Sequence, residues 1–304
     1  MRKYVSIIGA GRVGRALGLA LRLRGWRIGT VVTRSHATAR AAVRAIGGGK
    51  PPTGQWPEVF AADVLLIALP DRTIESVARK LADVGAGLPR PAVARAKAGG
   101  VKPPLQGKTV LHTSGSLSHA VLAPLRDHGA SIGAMHPMQT FGHGAATRLE
   151  GVVFGLDGDA RAVRVAWQMV RALGGIPVRV RPARKVTYHL SGGFAAQHLL
   201  VVLEAGVRIL MDAGLTRKQA TQALLSMAQQ TMANLLRVGP QKAWTGPVPR
   251  GDYGTVAKHI TALRRFPLEY KQAYIALTRL AVGMLARKPH KMLRDLAKVS
   301  GFRF

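Results

Sequence analysis

Through the first half of the chain, short continuous apolar runs alternate with longer stretches in which apolar positions recur every three or four residues. Val5-Ser6-Ile7-Ile8 is the first run, ended by Gly9, and a helical pattern follows from Val13 to about Arg24. Gly25 closes that helix. Ile28–Thr33 reads as the next strand and residues 36–46 as the next helix, before the break Gly47-Gly48-Gly49-Lys50-Pro51-Pro52. Val64–Leu69 is apolar at every position, the pattern of a strand covered on both faces in a parallel sheet. Pro70-Asp71 stops it, and a helix extends to about Val84. Residues 85–107, rich in Gly, Pro, Ala and Lys, read as a basic surface loop. Thr109–His112 and Ile132–Met135 are two further strands.

The pattern changes near residue 150. Val152–Leu156 and Val178–Val180 are predicted edge strands, flanking a helix at 160–173. From Lys185 onward the chain reads as helical, with helices near 185–213, 216–237, 252–264, 267–287 and 290–298 and no internal repeat. Alternating strands and helices followed by helices alone predict two domains. The expected fold is α/β: a Rossmann-type, doubly wound, mostly parallel sheet over 1–182, then an all-helical second domain over 183–304. A length of 304 residues fits two domains.

Composition narrows this. With 47% hydrophobic residues the chain can bury a core, so global disorder is excluded. There is no cysteine, which excludes disulfides, thiolate catalysis and thiolate–metal sites and fits a cytoplasmic location. The net charge of +31 is spread over both halves of the chain and favours anionic partners. No concentrated basic arm or aromatic-rich stacking surface accompanies it, so no specific nucleic-acid partner is expected. The apolar run after Met1-Arg2-Lys3 is too short for a secretion signal, and no uninterrupted apolar stretch reaches about 18 residues, so no membrane association is expected.

Gly9-Ala10-Gly11-Arg12-Val13-Gly14 sits between a predicted strand and helix. Gly9 permits the tight turn, Gly11 lets backbone approach a pyrophosphate, and Gly14 allows helix–sheet packing; Arg12 and Val13 open the helix that faces the phosphates. About twenty residues on, Arg34-Ser35 stands where an acidic residue would hold the ribose 2′-hydroxyl of NAD. A guanidinium there suits a 2′-phosphate, so NADP is preferred over NAD. Leu69-Pro70, at the end of another strand, joins this cofactor-binding set.

His112-Thr113-Ser114-Gly115-Ser116 and His136-Pro137-Met138-Gln139 also follow strands and should emerge at the carboxyl edge of the sheet. His136 is the candidate for moving the proton that accompanies hydride transfer, with Ser114 and Ser116 orienting substrate. Lys185, His189 and Gln197 form a polar stripe on the long helix, with Gly193 leaving a gap for a ligand. Lys185 and His189 are assigned to catalysis and Gln197 to substrate. Arg250 is a candidate clamp for a substrate carboxylate, and Asp252 an N-cap for the following helix. His112, His136 and His189 lack metal-site spacing, so no metal is expected.

In this order and spacing the motifs resemble a bacterial family that joins a Rossmann-like domain to a C-terminal helical domain of unknown function. The resemblance rests on Gly9–Gly14, Leu111–Leu117, His136–Phe141, Lys185 with Tyr188-His189, and Thr245-Gly246-Pro247 with Arg250-Gly251-Asp252. The wider relatives are 6-phosphogluconate-dehydrogenase-like enzymes, including pyrroline-5-carboxylate reductase and prephenate dehydrogenase. The His136 segment looks like the catalytic-histidine segment of the latter, and Lys185 falls near the catalytic lysine of hydroxyacid dehydrogenases. Where those carry Asn four residues later, this chain has His189. The resemblance further implies a homodimer through the helical domain.

The expected function is therefore NADP(H)-dependent hydride transfer on a small, anionic, carboxylate-bearing imine, ketone or hydroxyacid. The alternatives are a non-catalytic NAD(P)-binding sensor and, from charge alone, a nonspecific nucleic-acid binder.

Overall fold

A computed structural model describes residues 4–53, 56–87, 104–142 and 147–300. Most of the predicted basic loop at 85–107 lies outside them. Seven strands, β1 (Tyr4–Ile8), β2 (Arg27–Val32), β3 (Val64–Ile67), β4 (Thr109–His112), β5 (Ser131–Pro137), β6 (Val153–Gly158) and β7 (Ile176–Arg179), form one sheet in the order β2-β1-β3-β4-β5-β6-β7. The first five are mutually parallel, β6 runs antiparallel to β5, and β7 runs parallel to β6.

Alternate residues of each strand feed two apolar layers. On one face α1 (Arg12–Leu23), α2 (His36–Ile46) and α5 (Ala160–Ala172) cover Val5, Ile7, Leu66, Leu111, Met135 and Phe154. On the other, α3 (Asp71–Gly87) and the helical turns through α4 (Ala123–Arg126) cover Ile8, Leu65, Ile67, Val110 and Ile132. This explains why β3 reads as a continuous apolar run: Val64 and Leu66 face one layer, Leu65 and Ile67 the other. The expectation for β6 is corrected. It is an interior strand between β5 and β7, because β7 takes its open side; of the two strands expected at the edge, β7 alone is one.

The chain divides into two compact units, Met1–Gln197 and His198–Phe304. The boundary falls later than the expected 182, because α6 (Lys185–Gly193) packs on the sheet through Lys185 and Tyr188. A π-helical turn at Phe194–His198 interrupts the predicted 185–213 helix.

The second unit comprises α7 (Leu199–Asp212), α8 (Arg217–Ala243), α9 (Pro247–Arg250), α10 (Tyr253–Ala262), α11 (Leu268–Leu285) and α12 (Pro289–Ser300). Gly239, at φ +77, breaks α8 just before Pro240, close to the predicted end at 237. A small core of Val248, Val256, Ile260, Val282 and Leu296 holds α9–α12. The helical run Pro182–Asp212 is long and apolar enough to cross a membrane by length and composition, with a mean hydropathy of 1.5 over its most apolar window. The sequence expectation rested on uninterrupted apolar runs and did not register it.

Candidate functional site

The parallel direction of β1, β3, β4 and β5 brings the turns that follow them to one edge of the sheet. The first is the glycine turn. Gly9 has φ +92, and a Cβ there would lie 2.5 Å from the carbonyl of Ala68. A Cβ on Gly14 would lie 2.1 Å from the carbonyl of Gly9, so only glycine lets α1 pack this closely. Gly11 differs: nothing lies within 4 Å of the Cβ it lacks. It is the N-cap of α1, offers no side-chain cap, and no acidic residue occupies the first turn. The first backbone N–H groups of α1, including those of Arg12 and Val13, therefore have no capping side chain, and the space beside Gly11 is open, the kind of helix terminus that accepts an anion. Arg15 Nε donates to the carbonyl of Ala10 at 2.9 Å and braces the turn.

Arg34 and Ser35 are exposed at the end of β2. The Ser35 hydroxyl is engaged as N-cap of α2, accepting from the Thr38 N–H at 3.2 Å in a reciprocal capping box. Ser35 thus starts α2, and Arg34 is exposed beside that helix N-terminus. Leu69 and Pro70 follow β3, with the Leu69 side chain against Gly9.

The second cluster is built on β4, β5 and α6. His112, fully buried, ends β4; its Nδ1 accepts from the Ser114 N–H at 3.1 Å and its Nε2 donates to the Ser118 carbonyl at 3.1 Å. Both ring atoms are used, so His112 is a neutral pin for the 113–118 turn. Burial and the nearby Lys185 charge hold its pKa at about 4. Within the turn, the Ser114 hydroxyl accepts from the N–H groups of Ser116 and Leu117. The Ser116 hydroxyl donates to Asp71 at the start of α3.

His136 projects from β5 toward α6. The Tyr188 hydroxyl lies 3.1 Å from its Nδ1 and 3.4 Å from its backbone carbonyl, with the two rings edge-on. The His189 ring is also edge-on to it, with centroids 5.6 Å apart. Its Nε2 lies over Gly115, where a Cβ would be 2.7 Å from that nitrogen and 2.3 Å from His189 Cδ2. Gly155 on β6 likewise admits Tyr188, whose ring carbon Cζ would lie 2.6 Å from a Cβ there. Burial, then the charge of Lys185, then His189 hold the His136 pKa at about 3. A pKa that low leaves His136 as a neutral imidazole near pH 7, able to accept a proton or a hydrogen bond.

Lys185 is 1% exposed, and its Nζ donates to the Ser114 carbonyl at 3.2 Å. Burial lowers its pKa from the ordinary lysine value, opposed by Asp157 and Asp71. A buried ammonium has three donors, so two remain beyond the bond to Ser114. The structure therefore brings His136, Ser114, Lys185 and His189 together, with Ser116 in the same turn. Gln197 is exposed within the π turn at Phe194–His198 and is not among the residues brought together here. Arg250, exposed at the end of α9, belongs to the other unit, where Asp252 caps α10 by accepting from the Thr255 N–H at 3.2 Å. No cluster of three or more metal-binding side chains occurs among the described residues.

Sequence reasoning assigned no role to Tyr188, Asp71, Asp157, His119, Gly115 or Gly155. Gly155 alone carried a signal, since an isolated glycine within a strand marks a close approach.

Residues 1–137 match the family described as Rossmann-like domain, and residues 152–281 match Domain of unknown function (DUF2520). No curated protein matches the chain. Three of the solved structures that share its fold illustrate the likeness. BF3122 from Bacteroides fragilis, described as a candidate NADP oxidoreductase, is 19% identical with a TM-score of 0.69, covering 91% of this chain and 97% of its own. Protein TM1727 from Thermotoga maritima is 22% identical with a TM-score of 0.65, covering 95% and 99%. An imine reductase from Pseudomonas sp. is 18% identical with a TM-score of 0.63, covering 95% and 99%. The chain thus carries, in order, a match to a Rossmann-like domain and a match to DUF2520, the domain order of the family that its motifs resemble.

Proposed function

We propose that the protein is an NADP(H)-dependent oxidoreductase acting on a small carboxylate-bearing imine, ketone or hydroxyacid. One observation carries this: the uncapped N-terminus of α1 and the His136–Tyr188–Lys185–Ser114 cluster share one edge of the sheet. The imine reductase and the NADP oxidoreductase description among its structural neighbours support the same class. When bound, the nicotinamide supplies hydride. The chain supplies the rest. Gly9, Gly11, Arg12, Val13 and Gly14 hold the pyrophosphate, and Arg34 the 2′-phosphate. Lys185 gives the positive charge that draws an anionic substrate, and a proton for the substrate heteroatom. His136 orients that atom through Nε2 while Tyr188 fixes its ring, and His189, Ser114 and Ser116 line the approach.

NADPH fluorescence enhancement should saturate, and Arg34→Ala should weaken NADPH by about tenfold or more while sparing NADH, as loss of a charge-assisted hydrogen bond predicts. His136→Ala and Lys185→Met should keep NADPH binding and lose turnover across a panel of carboxylate-bearing imines and ketones. Absence of saturable NADPH binding sinks the proposal; binding with no turnover in wild type favours a dinucleotide sensor.

We also propose that a second copy covers α7, within the Pro182–Asp212 run, where Leu199, Leu200, Val201 and Val202 are exposed. Lys185 and Tyr188 fix the start of this run on the sheet, which suits a protein partner better than a bilayer. Sedimentation should give a dimer that Leu200→Glu dissociates. A wild-type monomer that floats with anionic vesicles would overturn this.

A further inference from the structure

The 113–119 turn, whose Ser114 carbonyl holds Lys185, is anchored at both ends by carboxylates that the proposed reaction does not use. At one end Ser116 donates to Asp71, which is exposed at the start of α3. At the other, Asp157 of β6 is 1% exposed and accepts the His119 N–H with both oxygens, at 3.2 and 3.3 Å, while the His119 ring Nδ1 is bonded to the same carboxylate. Asp157 pairs across the sheet with Ala134, which pairs with His112, so it lies in the row of β residues directly beneath the turn. A continuous set of contacts results: Lys185 to the Ser114 carbonyl, Ser114 N–H to His112, His112 to the Ser118 carbonyl, and His119 to Asp157.

An unpaired carboxylate is costly to bury, so a fully buried aspartate needs a compensating charge or donors. His119 supplies donors on one side. The buried cation nearby is Lys185, whose ammonium is bonded to the Ser114 carbonyl and not to a carboxylate. We propose that Asp157 is a positioning residue for Lys185: through His119 it fixes the carbonyl that orients the ammonium, and its buried charge keeps that ammonium protonated. Asp157 is the leading influence opposing the effect of burial on Lys185, followed by Asp71. The other titratable groups facing this centre are His112 from β4, His136 from β5, and Tyr188 and His189 from α6; the Tyr188 ring centroid is 5.7 Å from Nζ. The inference rests on Lys185 belonging to the site but not on turnover, and it is tested without substrate.

The experiment is a carbon-13 NMR titration of the full chain labelled at lysine Cε, with the Lys185 resonance assigned by its loss in Lys185→Met. In wild type the Lys185 midpoint should lie below that of the exposed lysines. Asp157→Asn should lower it further, by about one pH unit or more, as loss of a nearby opposite charge predicts. Asp71→Asn should lower it less, because Asp71 is exposed to solvent. A midpoint unchanged in folded Asp157→Asn overturns the proposal. Should that variant not fold, the wild-type protein still decides. Labelled at aspartate Cγ, its Asp157 resonance must show an inflection as Lys185 loses its proton, and the inflection must vanish in Lys185→Met. A flat wild-type resonance through that range overturns the proposal equally.

Discussion

One buried and one half-buried histidine, His112 and His136, weigh on the acid behaviour of the fold. His112 and His136 are held at about 4 and about 3, below the ordinary value of 6.5. The unfolded chain therefore binds protons that the folded chain refuses. Their contribution to stability is complete above the ordinary histidine value and is lost as pH falls through it toward the folded values. For His112, fully buried, the loss amounts to about 3 kcal/mol by pH 4. Thermal unfolding followed from neutral to acid pH should show a steep fall in Tm that is reduced in His112→Asn; an unchanged slope would refute the assignment. At Gly115 a methyl group would collide with both His136 and His189. Gly115→Ala should keep NADPH binding and lower turnover about a hundredfold, as expected when a reacting group moves by about 1 Å.

At the level of the element, α1 separates two uses of glycine. Gly14 is needed for packing, so Gly14→Val should cost about 1–3 kcal/mol and cofactor binding together. Gly11 faces open space with an ordinary backbone conformation, so Gly11→Ala should leave Tm unchanged while NADPH binding weakens. Calorimetry alongside fluorescence titration distinguishes the two. Both roles were readable in the strand–turn–helix context, because that motif is local. The helix α6 was less readable. Periodicity placed Lys185 and His189 on one polar stripe, yet Lys185 is buried and Val186 and Leu190 are exposed. Pattern assigns faces but not which face meets the sheet, and the π turn at Phe194–His198 leaves no trace in spacing. Tyr188, His119 and Asp157 escaped notice because their partners are 38 or more residues away, a separation that only the sheet order closes.

For the whole molecule the net charge of +31 is mutual repulsion that folding must overcome. Fourteen acidic residues cannot pair 45 basic ones one to one, and the ion pairs at Arg24–Glu150, Arg79–Glu75 and Arg126–Asp159 are at the surface. Added neutral salt should therefore raise Tm through screening while slowing NADPH association; stopped-flow and thermal shift over an ionic-strength series check both signs. The glycine at 155 carries a consequence beyond this chain. Tyr188 occupies the space of its absent side chain, so two missing methyl groups, at 155 and 115, are the imprint of the phenol and the imidazoles. In a genome survey, a sequence keeping Gly9, Gly11, Gly14 and Lys185 but filling either position would be forecast to bind the dinucleotide and remain chemically silent. That would separate working members from retired ones by reading what is not there.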